Sequence, residues 1–226
     1  MSRLARVVVP GLPHHVTQRG NGRSRTFFSD DDFRLYLNLL RQNCEAAKVT
    51  CQAHVLMPNH VHLILVPQTE DGLSKALSLT HRSYAGQLNA RRRKTGHFWQ
   101  GRFGCVAMDG AHHMAALRYL LLNPVRARLV ERPEEWPWSS ARALLKGKAD
   151  AMTDAAGLKE QFGDIRTLLG EMPDLAMLEV ALRRAESIGR PLGDPKFLDR
   201  LERKLDRPLK PRKRGRKPVT KEGNNR

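Results

Sequence analysis

The sequence predicts an α+β fold in which one antiparallel sheet carries helices on one face, followed by a helical, basic C-terminal extension. Three observations predict it. Segments of strand length alternate with segments of helical periodicity in the order strand, helix, hairpin, helix, strand, helix. Two of the strand segments are joined by so short a turn that they should pair antiparallel. Beyond Val130 the strand signal weakens, and charged stretches with short amphipathic helices take over.

His14 to Arg19 (HHVTQR) reads as a short strand, closed by the turn signal Gly20-Asn21-Gly22. Ser29 caps a first helix with Asp32 three residues on, and Phe33, Tyr36, Leu37, Leu40 and Cys44 recur at helical spacing to about Lys48. Val49 to Met57 and Val61 to Val66 are apolar strands separated by Pro58-Asn59-His60, a tight hairpin. Leu73 to about Arg92 is a second helix with the apolar stripe Leu73, Leu77, Tyr84 and Leu88. Its basic end, Arg91-Arg92-Arg93-Lys94, suits the helix dipole. Phe98 to Met108 reads as the last strand, and Ala111 to Leu122 as a third helix that stops or kinks at Pro124. That order is the ferredoxin-like plan. Pro133 to Trp138 is a proline and tryptophan turn, and short helices are expected at Ala141 to Lys146, Leu175 to Ile188 and Pro195 to Leu205. The organisation is then a sheet domain over 1–130, a helical extension over 131–208 and a basic tail over 209–226 that is disordered without its partner.

The 226 residues include 40 Lys and Arg against 23 Asp and Glu, a formal charge of +17, too large for a neutral enzyme surface. Such an excess favours a polyanionic partner, because cations that neutralise phosphates release condensed counterions. No stretch approaches the ~20 apolar residues of a membrane span, and Met1 to Pro10 carries no secretory signal. The expectation is a cytoplasmic, nucleoid-associated protein without a membrane partner. Cys44, Cys51 and Cys105 are odd in number and widely spaced, which reads as buried thiols.

The sharpest local feature is PNHVHLILV, Pro58 to Val66. Side chains alternate across a strand, so His60 and His62 share one face and form a potential metal platform, or else a solvated or hydrogen-bonded pair. Tyr119 and Asn123, four residues apart, share a helix face; a core tyrosine and a helix cap are the plainer alternatives. Arg91, Arg92, Arg93 and Lys94, followed by Phe98, Trp99 and Arg102, combine phosphate contacts with ring faces for unpaired bases. Arg19, Asn21, Arg23 and Arg25 surround the first turn. Equally, Trp99 is a core residue, the charge run a solvated helix end and the first turn a plain loop. Of His14 and His15, which point to opposite faces, at most one reaches the metal platform, and neither is assigned to it. His112 and His113 are expected to be exposed or capping.

HHVTQRGN, MPNHVHLILVP, HFWQGRF and RYLLLNPVRARLV, in that order between His14 and Val130, resemble the single-tyrosine transposases of the His-hydrophobic-His class, specifically the REP-associated tyrosine transposases. WPWSS (Trp136 to Ser140), GRPLGDPKFLDRLERKL (Gly189 to Leu205) and GRKP (Gly215 to Pro218) resemble the C-terminal extensions of that family. The resemblance implies that Tyr119 is the nucleophile, that His60 and His62 bind Mg²⁺ or Mn²⁺, and that Asn123 takes the third metal-proximal position. Glutamine often stands there in insertion-sequence relatives, and asparagine has shorter reach. It implies a transposase or nickase that cuts and rejoins single-stranded hairpin DNA, REP-like palindromes, through a 5′-phosphotyrosine, as a monomer or a homodimer. A non-enzymatic single-stranded nucleic-acid-binding protein and a replication or transfer nickase of the same catalytic class remain the alternatives.

Overall fold

A computed structural model of the chain describes residues 6–170, 177, 180–182, 184, 185 and 189–210. Its elements are β1 (His14–Arg19), α1 (Asp30–Ala46), β2 (Val49–Met57), β3 (His60–Pro67), α2 (Gly72–Arg91), β4 (Gly104–Ala107), α3 (Gly110–Leu121), α4 (Asn123–Arg126), α5 (Ala141–Lys146), α6 (Ala155–Phe162) and α7 (Pro195–Leu205). The strands form one sheet in the order β2-β3-β1-β4, every pair antiparallel. The expected α+β, ferredoxin-like order is therefore present.

Register decides what each face carries. Val16, Val61, Leu63 and Leu65 turn to the side covered by α1 and α2, where they meet Phe33, Tyr36, Leu40, Leu73, Leu77, Tyr84 and Leu88. Val55, Met57, Ile64 and Val106 turn the other way and are covered by Ala115, Ala116, Leu117, Leu120 and Leu121 of α3. The expectation of helices on one face thus holds for α1 and α2, whereas α3 lies across the opposite face. The reason is visible in β3: Leu63-Ile64-Leu65 is apolar on both sides, and a stretch apolar on both sides needs two covering layers.

The Ser29–Asp32 capping box expected for α1 is formed. The buried Asp32 carboxylate accepts the Phe28 and Ser29 amides at 2.7 and 3.2 Å and also pairs with Arg91 at the end of α2. β4 is shorter than expected because 98–103 serves as a loop clamp: Gln100 N–H donates to Arg19 O at 2.8 Å and Asn21 N–H to Phe98 O at 2.9 Å.

The C-terminal extension is bound into the same cores and closes both sheet edges, which would otherwise expose unpaired backbone groups. Along β2, Leu56 N–H donates to Trp138 O, Ser140 N–H to His54 O, and the Trp136 indole to Leu56 O, each at 2.9 Å. Trp138 stacks on Phe33 at 4.7 Å. Along β4, Leu192 N–H donates to Ala107 O at 2.8 Å, and Phe197 and Leu201 of α7 pack with Val7 and Val9. Leu209, placed by sequence in the tail, is buried, and its N–H donates to the Glu202 carboxylate at 2.6 Å. The folded part therefore continues through it, while 211–226 and most of the helix expected at Leu175 to Ile188 lie outside the described residues.

Burial pushes the imidazoles of His54 and His113 down to about 4. Burial, with the Arg6 charge adding, pushes His81 to about 3. All three lie below the ordinary value near 6.5, so between these limits the unfolded chain binds more protons than the folded one. Their contribution to stability is complete above about pH 6.5 and is lost as pH falls towards about 4, by up to ~1.4 kcal/mol per pH unit for each. Urea unfolding should accordingly show a midpoint that drops steadily from pH 7 to pH 5; a constant midpoint would contradict neutral burial.

Candidate active site

The cross-strand register builds the floor of the site. His60 lies opposite Arg19 on β1 and Met57 on β2, while His62 lies opposite Thr17 and Val55. Cross-strand partners share a face, so His15, Thr17 and Arg19 line up with His60, His62 and Ile64 beneath α3. The His60 and His62 rings are 4.9 Å apart at 83°. Tyr119 descends from α3 to place its ring 5.4 Å from that of His62, edge to face at 85°. The structure thus brings the expected nucleophile and histidine pair together.

The two imidazoles are prepared differently. His60 Nδ1 lies 2.6 Å from Asn59 Oδ1; as the oxygen accepts, the ring donates there and keeps a lone pair on Nε2. Burial, then the Arg19 charge, pushes His60 down to about 3. His62 is held well below its ordinary value by burial first, with His15, His60 and Arg19 adding. Both rings are therefore neutral at physiological pH, the form a cation requires. His62 Nε2 is buried without a hydrogen-bond partner, which suits a position reserved for a ligand. Among the described residues no group of three or more His, Cys, Asp or Glu side chains could hold a metal, so remaining ligands would be amide, phosphate or water.

Asn123 opens α4, about one turn beyond Tyr119. Its carbonyl accepts the Ala127 amide at 3.0 Å, and its side chain makes no hydrogen bond to either histidine among the described residues. Two residues passed over in the sequence also belong here. His15 is fully buried with Nε2 3.1 Å from His62 Nδ1, and Arg126 holds its guanidinium 5.2 Å from the Tyr119 ring centroid. His15 was accessible from strand parity once the β1–β3 register was known; Arg126 gave no signal beyond its charge.

The basic residues expected to meet DNA separate into two groups. Arg91 is engaged by the buried Asp32, and Trp99 belongs to an aromatic cluster with Tyr36, His81, Tyr84 and Phe98, its indole donating to His81 O at 2.9 Å. Those two have framework work to do. Arg19 and Arg23 lie on a rim where the first turn, the hairpin turn and 98–101 are laced together. Gly20 N–H donates to Asn59 O at 3.0 Å and Asn59 Nδ2 to Arg23 O at 3.1 Å. Gly20 has no room for a side chain, since a Cβ would sit 2.2 Å from Ser24 O. Next to that rim, Arg25, Phe28, Arg92, Lys94 and Phe98 line a concavity in which the Arg92 guanidinium rests 3.5 Å over the Phe28 ring. Arg93 and Arg102 are exposed; Arg102 lines a separate concavity with Arg82, Phe98 and Trp99, and its charge acts on Arg6. Of the remaining histidines, His112 binds the capping Asp109 at 2.7 Å as expected, whereas His113 is buried against Phe162.

A family model described as "Transposase IS200 like" matches residues 9–121, half of the chain, a stretch that runs from β1 through α3. A curated protein of Haemophilus influenzae, whose name places it with the REP-associated tyrosine transposases, is 26% identical over 164 residues, covering 66% of this chain and 90% of that protein. A solved structure of a REP-associated tyrosine transposase bound to a REP hairpin covers 66% of this chain and 89% of its own, with a TM-score of 0.52 at 20% identity, a likeness of fold. No helix among the described residues is long and apolar enough to cross a membrane. With the sheet, the histidine pair and the tyrosine helix all inside the matched region, the chain belongs to the IS200-like transposase family, and its likeness there is to the REP-associated tyrosine transposases.

Proposed function

We propose that this protein cuts and rejoins single-stranded, hairpin-forming DNA of the REP-palindrome type through Tyr119. The observation that carries the reading is the placement of the Tyr119 ring 5.4 Å from His62, over a floor of neutral imidazoles. Tyr119 Oη attacks the scissile phosphorus, the bond from phosphorus to the 3′-oxygen breaks, and the phenolic proton ends on that leaving oxygen. The product is a 5′-phosphotyrosine and a free 3′-hydroxyl. The reverse attack by a 3′-hydroxyl rejoins the strand without an external energy source, because a phosphodiester is exchanged for a phosphodiester.

His60 and His62 would hold Mg²⁺ or Mn²⁺, with Asn123 the neighbouring amide; when bound, the ion supplies Lewis-acid polarisation of a nonbridging phosphate oxygen. The chain's own residues do the rest. α3 fixes the tyrosine against the sheet, and Arg126 places a cation beside the ring. Arg19, Arg23, Arg92, Arg93, Lys94 and Arg102 present charge for the hairpin backbone. The expected result with a REP-type hairpin and Mn²⁺ is a protein–DNA adduct that survives denaturing gel electrophoresis and fails to form with EDTA. Retarded migration only under native conditions would identify a binding protein instead, and equal adduct formation on strands without a palindrome would favour a replication or transfer nickase.

Residues 211–226 contain seven Lys or Arg and one Glu. We assign them a general clamp on DNA. Removing them after Lys210 leaves the Leu209 anchor in place. The truncated protein should bind hairpins more weakly and with a shallower dependence of log Kd on log salt. Faster cleavage by the truncated protein would mark the tail as an inhibitor, and an unaltered salt slope would remove the clamp.

A further inference from the structure

We propose that Arg126 is a catalytic residue of the strand transfer, its guanidinium binding a nonbridging oxygen of the phosphate that Tyr119 attacks; this deepens the cleavage reading given above and rests on it. The guanidinium carbon lies 5.2 Å from the centroid of the Tyr119 ring, and the side chain is exposed, so an incoming strand can reach it. Backbone hydrogen bonding sets that position. Although α3 ends at Leu121 and Pro124 follows, the helical ladder runs on: Leu122 O accepts the Arg126 amide and Asn123 O the Ala127 amide, each at 3.0 Å. Pro124 stands in the first turn of α4, where a missing N–H is tolerated. Tyr119, Asn123 and Arg126 therefore succeed one another on one helical face, the last two about one and two turns beyond the first. A Schellman arrangement then locks the end of α4. Leu129 N–H donates to Pro124 O and Arg128 N–H to Val125 O, each at 2.9 Å, with Arg128 in the left-handed region at φ 55°.

The neighbouring arginines are committed elsewhere: Arg118 donates to Gly170 O at 2.9 Å, and Arg128 forms the closing turn. On the sheet side the Tyr119 ring meets His62 and His15, which burial keeps neutral. Arg126 thus brings a full positive charge to the nucleophile, as Arg19 does to the histidine pair. As Tyr119 Oη adds to phosphorus, negative charge grows on the two nonbridging oxygens before the 3′-oxygen departs. The metal reading places one of them on the side of His60 and His62. An arginine fork stays charged at every physiological pH and offers parallel N–H donors, so it can hold the other oxygen and orient phosphorus in front of Oη. Without DNA the same group rests against the electron-rich tyrosine ring. Rejoining passes through the same charge distribution, so the role applies in both directions.

The experiment uses full-length protein, Mn²⁺ and a REP-type hairpin carrying either a normal scissile phosphate or a methylphosphonate, in which a neutral methyl group replaces one charged oxygen. Single-turnover adduct formation and hairpin affinity are measured for wild type, Arg126→Ala and Arg126→Lys. On the phosphate, Arg126→Ala should be about 100-fold slower with affinity within about twofold, and Arg126→Lys should regain part of the rate. On the methylphosphonate the gap between wild type and Arg126→Ala should close to about threefold or less, because less charge needs stabilising. Methylguanidine added to Arg126→Ala should restore part of the rate on the normal phosphate, and this arm decides if wild type does not react with the methylphosphonate. Wild-type speed in Arg126→Ala would overturn the proposal. So would an undiminished gap on the methylphosphonate or, where that substrate is inert, no rescue by methylguanidine, since the side chain would then only hold Tyr119 in place. No adduct between wild type and the normal hairpin would instead defeat the cleavage reading, and this role with it.

Discussion

Tyr119→Phe should abolish strand cleavage, with a loss of at least about a thousandfold, and leave hairpin affinity within about twofold. The substitution removes one oxygen and keeps the ring that meets His62, His15 and the Arg126 guanidinium. Packing and DNA contacts are therefore preserved while the attacking atom is gone. The other two tyrosines cannot take over. Tyr36 and Tyr84 are fully buried, with hydroxyls bound to His81 Nε2 at 3.0 Å and Thr26 O at 2.8 Å, and burial pushes both phenols up, away from phenolate. Tyr84 belongs to the helix with the basic end, but its hydroxyl is engaged by Thr26 O beneath the segment that follows the first turn. Cleavage and binding assays on the same preparation check the pair of outcomes, and normal cleavage by the phenylalanine variant would sink the assignment.

The double variant His60→Ala, His62→Ala should lose about a thousandfold in cleavage, and what remains should no longer respond to Mg²⁺ or Mn²⁺. Asn123→Ala should lose less, about tenfold, and keep a metal response shifted to higher concentration. The difference follows from placement. The imidazoles stand on a strand paired on both sides, and both rings are neutral without help from a base. The amide stands at the start of a four-residue helix. A metal titration of cleavage rates separates the variants. A double variant that still rises with Mn²⁺ as wild type does would put the cation elsewhere.

Much of this was legible in the sequence, for identifiable reasons. The hairpin, β1, α5 and α7 announce themselves by local chemistry: Pro58-Asn59 between apolar runs, Gly20 after β1, Gly147 after α5, and Asp194 before Pro195. What the sequence could not show was which face a buried strand gives to which helix. An apolar residue on both sides of β3 reads the same whether α3 packs with α1 and α2 or opposite them. That choice decides whether Tyr119 meets the histidine pair or lies across the sheet from it. His15 was hidden by the same gap, since its parity with His62 depends on pairing His15 with Ile64. Trp99 and Arg91 looked like DNA contacts because charge and ring next to each other fit that role. The buried Asp32 carboxylate and the Tyr36–Tyr84 cluster, distant in sequence, engage both. Helix α6 went unseen because its large apolar contacts come from Leu158 and Phe162 alone, too few for a periodic signal.

The central claim is that Tyr119 forms the covalent link to DNA, and locating that link tests it most directly. A single-stranded REP-type hairpin is trapped on the wild-type protein with Mn²⁺, the protein is digested with trypsin, and the modified peptide is sequenced by mass spectrometry. The mechanism predicts a phosphodeoxynucleotide on the peptide Tyr119–Arg126, attached through the tyrosine. Attachment to a peptide carrying Tyr36 or Tyr84, or to any serine, would contradict it.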